Sequence, residues 1–268
     1  MHKFLVRAIS GIIYAAFIIA AILCGHWTIY ALAILFASIG VCELLHMAIR
    51  FPRKSLPAYI IMVIQTILFI SVFALSPYLT PVSIWVLTGV FLLLMWPYFV
   101  ALNKVRQISL SDFSDNDIRK APLYGIGYLG IPMAFMTICP IERLSLLVFV
   151  LLWINDSGAY IVGSLTGRHK LCPSISPNKT WEGFIGGCVL TIAGALMLDL
   201  YCDTFFGMEK FPLWIWMMTG VLTCIFGTFG DLLESKIKRF YGVKDSGNWI
   251  PGHGGILDRI DSFLLAYP

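Results

Sequence analysis

Charge is what this 268-residue sequence has least of. Only 13% of its positions are Asp, Glu, Lys or Arg, against 59% hydrophobic. A water-soluble domain carries about 25% charged residues. Too few charges are present to cover a soluble surface, and the apolar content excludes a disordered chain. Cysteine offers no framework either: the count is seven, an odd number, and no pair is spaced Cys-x-x-Cys. That excludes a disulfide scaffold and a structural zinc site of the usual spacing. There is no Walker phosphate loop, no nucleophile elbow and no internal repeat. The alternation that a membrane β-barrel needs is also missing. The net charge of +4 is not gathered on a basic soluble domain, so no nucleic-acid partner is expected.

What is present is a series of long apolar runs. A spanning helix needs about 20 mainly apolar residues. The runs at 5–24, 27–49, 58–75, 82–102, 122–140, 144–165, 183–202 and 212–230 are of that order. A ninth run, from Ile256 to Pro268, is too short to cross alone. The expected fold is therefore an all-α, polytopic transmembrane helix bundle of eight spans plus a short or truncated ninth. The basic residues before the first run do not make it a signal peptide, because no cleavage site and soluble domain follow. With the N-terminus in the cytoplasm and alternating spans, 17 of the 19 Lys and Arg fall on the inner side. Trp27, Trp85, Trp214 and Trp216 fall near the outer ends, as an aromatic belt would. We divide the chain into an N-terminal region of four spans, 1–121, and a C-terminal catalytic region, 122–268.

The inner loops differ in character. Those after the second and fourth runs look like topology determinants. The segment 231–261 instead holds Asp231, Glu234, Asp245, Asp258 and Asp261. Asp231 and Glu234 are spaced i, i+3 and share a helix face; Asp258 and Asp261 repeat the spacing. Facing carboxylates make a hard-oxygen site suited to magnesium, which leaves positions for substrate phosphates. Between them lie Lys236, Lys238, Arg239, Lys244, His253 and the pair Gly254-Gly255, a vocabulary for binding phosphate. A solvated hairpin with pairs such as Glu234–Lys238 is the plainer alternative. Upstream, Asp156 sits within an apolar run, where an ionisable group needs a cavity or a partner. Ser176-Pro177 reads as a helix start that places Asn178, Lys179 and Thr180 in a first turn able to attract an anion. Glu43 and His46 lie near the inner end of the second run, at a depth compatible with either a cavity or the interface.

Ser235, Lys238-Arg239, Lys244-Asp245, Gly247, Ile250-Pro251, His253-Gly254-Gly255 and Asp258-Arg259-Ile260-Asp261 follow in order. Together they resemble the signature of the phosphatidate cytidylyltransferases, or CDP-diacylglycerol synthases. The stretch DSGAY, GRHKL and SPNKTWEG resembles that family's companion motif. Members of the family usually continue through a complete final span, whereas this sequence stops at Pro268, so either the sequence is cut short or the last span is incomplete. The resemblance implies transfer of CMP from CTP to phosphatidic acid in a cell membrane, with Mg2+ as cofactor. It implies catalytic roles for Asp231, Asp258, Asp261, Lys244 and Asp156, with Asp231, Asp258 and Asp261 on the metal. It implies substrate contacts from Ser176, Asn178, Lys179, Thr180, Lys238, Arg239, His253, Gly254, Gly255 and Arg259. A homodimer is compatible with these residues and not fixed by them. A secondary transporter would need inverted repeats, which are lacking. A CTP-using polyprenol or dolichol kinase is the nearer rival, and would release CDP rather than pyrophosphate.

Overall fold

The computed structural model describes residues 2–49, 56–75, 125–139, 142–200, 211–252 and 254–268. The described chain is mostly helical. Helix α1 covers His2–Leu23, α2 His26–Ile49 and α3 Leu56–Leu75. A π-type turn at Gly125–Gly130 leads into the short α4, Ile131–Ile138. Helix α5 covers Glu142–Thr166, α6 Trp181–Asp199, α7 Leu213–Phe240 and α8 Leu257–Ala266. Four stretches are long and apolar enough to cross a membrane: His26–Met47, Arg143–Thr166, Trp181–Asp199 and Leu213–Arg239. They coincide with four of the eight expected runs. The run at 82–102 lies outside the described residues. The run at 122–140 contains the π-type turn and α4 rather than one continuous helix.

Large apolar side chains on the outer surfaces follow from a lipid solvent. Ile185, Val189 and Met197 on α6 and Leu213, Met217 and Phe229 on α7 are exposed. Water would not tolerate such a surface at this density. Trp27 and Trp214 are exposed as an aromatic belt requires, but Trp216 is buried against Leu147, Leu151 and Ala195. The belt reading fails for Trp216 because α7 turns that residue inward onto α5 and α6.

Within the bundle, α5 packs along α6, α6 along α7, and α7 along α8. Small residues make the α5–α6 approach close. A Cβ on Gly187 would stand 2.9 Å from Asn155 Oδ1 and 3.0 Å from the Asn155 carbonyl. One on Gly183 would stand 2.8 Å from the Ala159 carbonyl. This is small-residue packing, which works through close backbone contact where lipid supplies no hydrophobic drive. Gly187→Val is expected to lower stability by about 1–3 kcal/mol by overpacking. Thermal unfolding in detergent checks it, and an unchanged midpoint would contradict the packing described.

The ten-residue α8 is held by its apolar face. Leu257, Ile260, Phe263 and Leu264 are buried, and the Phe263 ring stacks on Phe149 of α5 at 4.2 Å between centroids. Helix α2 supplies much of the surrounding core through Ile29, Leu32, Phe36, Val41 and Leu45.

One departure from an all-helical fold lies between α5 and α6. Strands β1, Lys170–Cys172, and β2, Ser176–Thr180, pair antiparallel in a small hairpin. The expected helix start at Ser176-Pro177 is therefore corrected. Proline disfavours the helical conformation in the residue before it, so Ser176 extends and pairs with Cys172. The helix begins one strand later. Thr180 is its N-cap and accepts from the Gly183 N–H at 3.1 Å. Trp181 N–H donates to the His169 carbonyl, and the Glu182 carboxylate accepts from the Arg168 and His169 N–H groups. The helix start is thus closed by the chain's own acceptors.

Candidate active site

Asp231 and Glu234 stand three residues apart on α7, and α8 crosses in front of them. Asp261, one turn into α8, completes a group in which Asp231, Glu234 and Asp261 each offer an oxygen within 4.8 Å of the others. Glu234 is fully buried and Asp261 is 8% exposed. Burying carboxylates together is costly unless cations accompany them. Lys238, one helical turn beyond Glu234, pairs with it directly. The same ammonium donates to Asp258 Oδ1 at 2.7 Å. Lys179 from β2 reaches Asp231 Oδ2 at 2.6 Å, and Ser235 Oγ donates to Asp231 Oδ1 at 3.1 Å.

Asp258 has a different setting from the other carboxylates. Besides Lys238, it accepts from the Ser246 N–H at 3.0 Å and the Gly255 N–H at 2.8 Å. Burial would push its carboxyl up; the Lys238 and Gly255 hydrogen bonds outweigh that and hold it below the usual value. Asp258 thus ties the loop to Lys238, and the three oxygens that lie within 4.8 Å of one another belong to Asp231, Glu234 and Asp261.

Two cavities meet at this cluster, with Asp156 of α5 in the wall of both. One, of about 300 Å3, has Tyr14, Phe149, Leu152 and Trp153 on its apolar side and Asp258, Arg259 and Asp261 on its polar side. The other, of about 460 Å3, is lined by Asn178, Lys179, Thr180 and Asp231. An outer polar cavity of about 640 Å3 is lined by Lys244, Asp245, Asn248, Gly254 and Arg259. Arg259 thus borders both the inner and the outer space.

The remaining sequence-derived candidates distribute as follows. Asn178, Lys179 and Thr180 converge on the cluster, whereas Ser176 lies at the far end of β2 opposite Cys172. Lys244 belongs to the outer cavity and not to the carboxylate group. Arg239 is exposed and donates to the Val243 carbonyl at the end of α7. Gly254 has φ +85°, and a Cβ there would stand 2.6 Å from Asp258 Oδ2. Gly255 gives its N–H to Asp258, so that donor faces a carboxylate rather than an open phosphate site. His253 lies outside the described residues.

Three participants were undervalued or missed by sequence reasoning. The sequence places Glu234 beside Asp231 among the facing carboxylates but does not assign it to the metal; its i, i+3 spacing is the signal. Glu43 is 3% exposed and accepts hydrogen bonds from Ser246, Ile256 and Leu257. Tyr128, in the π-type turn, has a buried hydroxyl without a hydrogen-bond partner among the described residues. Nothing in its local sequence separates it from a lipid-facing tyrosine.

The residues fit a divalent cation. Five carboxyl groups, Asp156, Asp231, Glu234, Asp258 and Asp261, gather here with the three basic side chains Lys179, Lys238 and Arg259. The donor set is all oxygen, as magnesium prefers.

Comparison with known proteins follows this geometry. Residues 5–268 match the family described as the Cytidylyltransferase family. A protein of Staphylococcus haemolyticus named phosphatidate cytidylyltransferase is 36% identical over 267 residues, covering 98% of this chain and 96% of that protein. Proteins of the same name from Staphylococcus saprophyticus and Staphylococcus aureus are each 44% identical, over 148 and 150 residues. Those two matches take in 54% of this chain and span about half of the relatives' length, 55%. By a match over nearly its whole length, this chain belongs to the cytidylyltransferase family.

Proposed function

We propose that the protein is a CTP:phosphatidate cytidylyltransferase. It transfers CMP from CTP to phosphatidic acid and yields CDP-diacylglycerol and pyrophosphate for phospholipid synthesis. The observation that carries this is the Asp231–Glu234–Asp261 group, with Glu234 and Asp261 buried, set between two cavities that also present Lys179 and Arg259. Two polyanions, one of them a lipid, need such a place to meet. The names of the relatives support the same substrates.

A phosphate monoester has its second pKa near about 6, so the lipid phosphate is already an anionic nucleophile at neutral pH. No strong base is required of the chain. A phosphatidate oxygen attacks the α-phosphorus of CTP in line. The α–β phosphoanhydride bond breaks, and pyrophosphate leaves with its electron pair. Catalysis then rests on positioning and charge stabilisation. Asp231, Glu234 and Asp261 would hold a magnesium ion, with Asp156 beside them, and the ion would supply neutralisation of phosphate charge. Lys179 and Arg259 contact phosphate groups from the two cavities. Asn178 and Thr180 line the nucleotide side, and Phe149, Leu152 and Trp153 border the acyl chains.

The same reading makes the protein a multi-pass membrane enzyme of eight or more spans, with its N-terminus and active site on the cytoplasmic side. For a bacterial source that is the inner membrane. The test is product analysis on detergent-purified protein with phosphatidic acid, magnesium and CTP labelled at the α-phosphorus. Label in the lipid with released pyrophosphate is the expected result. CDP with unlabelled phospholipid would instead identify a CTP-dependent kinase.

A further inference from the structure

We infer that Glu43, on α2, is a positioning residue for the active site, because it caps α8 from across the bundle and so sets where Asp258 and Asp261 stand. A helix leaves its first N–H groups without internal partners. Helix α8 has no side-chain cap of its own at Ile256. Glu43 supplies it: Oε1 accepts from the Ile256 N–H at 2.9 Å and Oε2 from the Leu257 N–H at 2.8 Å. Oε2 also accepts from Ser246 Oγ at 2.8 Å. A negative group at a helix start is favoured by the helix dipole as well as by these bonds.

Two glycines of the motif are shaped around this carboxylate. A Cβ on Gly247 would stand 2.5 Å from Glu43 Oε1. A Cβ on Gly255 would stand 2.5 Å from both Glu43 oxygens. Gly247 is thus explained by the room Glu43 takes, and Gly255 by Glu43 together with Ser246 Oγ, which a Cβ there would meet closer still.

The consequence runs outward in steps that each rest on a contact. Glu43 fixes Ser246 and the first N–H groups of α8. Ser246 and Gly255 N–H groups fix Asp258. Asp258 draws Lys238, whose other partner is Glu234 of the carboxylate group. Asp261 lies one turn further along α8, so the rotation of that helix decides whether it faces Asp231.

Glu43→Gln keeps the size and removes one acceptor. Either orientation of the amide sets its NH2 against the Ile256 or the Leu257 N–H. Hydrogen exchange at those amides is expected to speed up in the folded variant. Turnover is expected to fall about 10- to 100-fold, the scale for a residue that orients a metal site from behind. Half-saturating magnesium rises with it, while KM for CTP changes little. Glu43→Asp, one methylene shorter, is not expected to rescue either property. Ser246→Ala, which removes one of three donors, gives a smaller effect in the same direction and carries the test if Glu43→Gln does not fold.

Unchanged exchange at Ile256 and Leu257 would overturn the cap. Faster exchange with unchanged turnover and magnesium dependence would reduce Glu43 to a structural contact and overturn its positioning role. The kinetic arm rests on the proposed cytidylyltransfer. If the wild type makes no labelled lipid, that reading fails, while exchange at α8 still decides whether Glu43 is the cap.

Discussion

Asp231→Asn lowers turnover at least about a hundredfold, the scale of losing one transition-state charge contact, while the helical fold persists. The substitution is nearly isosteric. Asn still accepts from Ser235 Oγ, which holds the Asp231 side chain at 3.1 Å. What disappears is one of three carboxylate ligands whose oxygens lie within 4.8 Å of one another. Lys179 also loses its carboxylate partner, but it is partly exposed and can be hydrated in its place. Little structural penalty is therefore expected, and the loss concentrates in turnover and in magnesium dependence. Circular dichroism and a magnesium titration of the rate check both. A folded Asp231→Asn protein with wild-type turnover would remove the carboxylate group from the mechanism.

Lys238→Met has the second large effect, and it strikes stability first. One ammonium answers two buried carboxylates, Glu234 and Asp258. Removing one member of a buried charge network leaves the others uncompensated, a cost of about 3–5 kcal/mol. Loss of thermal stability in detergent is the readout. The double variant Lys238→Met with Glu234→Leu removes opposite charges together and is expected to regain much of that stability. It does not regain activity, because Glu234 belongs to the carboxylate group. Recovery of both would show that the Lys238–Glu234 pair serves packing alone.

Much of the site could be read from sequence because its chemistry is local. The i, i+3 spacing of Asp231 and Glu234 puts both on one helix face, and Lys179 lies beside a helix start that the sequence placed within a few residues. What the sequence does not show shares one cause, which is that hydrogen bonds between distant segments leave no periodic trace. Asp258 and Asp261 share the same spacing, yet Asp258 turns to Lys238 and two backbone N–H groups while Asp261 faces Asp231. Nothing within Asp-Arg-Ile-Asp separates them. Glu43 is 213 residues from Ile256, whose N–H it accepts.

The fold was legible in the same uneven way. Long apolar runs identify α2, α5, α6 and α7 directly, since length and composition suffice for a span. The hairpin at 170–180 was not legible. Ser-Pro reads equally as a helix start or as an extended pair, and Cys172 decides by pairing with Ser176. Tyr128 illustrates the limit: its ring looks like many lipid-facing aromatics, and only the fold buries its hydroxyl.

Manganese binding tests the central claim most directly. Manganese replaces magnesium at oxygen sites and is visible by electron paramagnetic resonance. Purified wild-type protein is titrated beside Glu234→Gln, Asp261→Asn and Asp258→Asn. A site built by Asp231, Glu234 and Asp261 predicts that Glu234→Gln and Asp261→Asn abolish tight binding. Asp258→Asn weakens it less, because Asp258 acts through Lys238 and the loop. Tight binding that survives loss of Glu234 and Asp261 but vanishes with Asp258 would contradict the account and return the metal to the other face of α8.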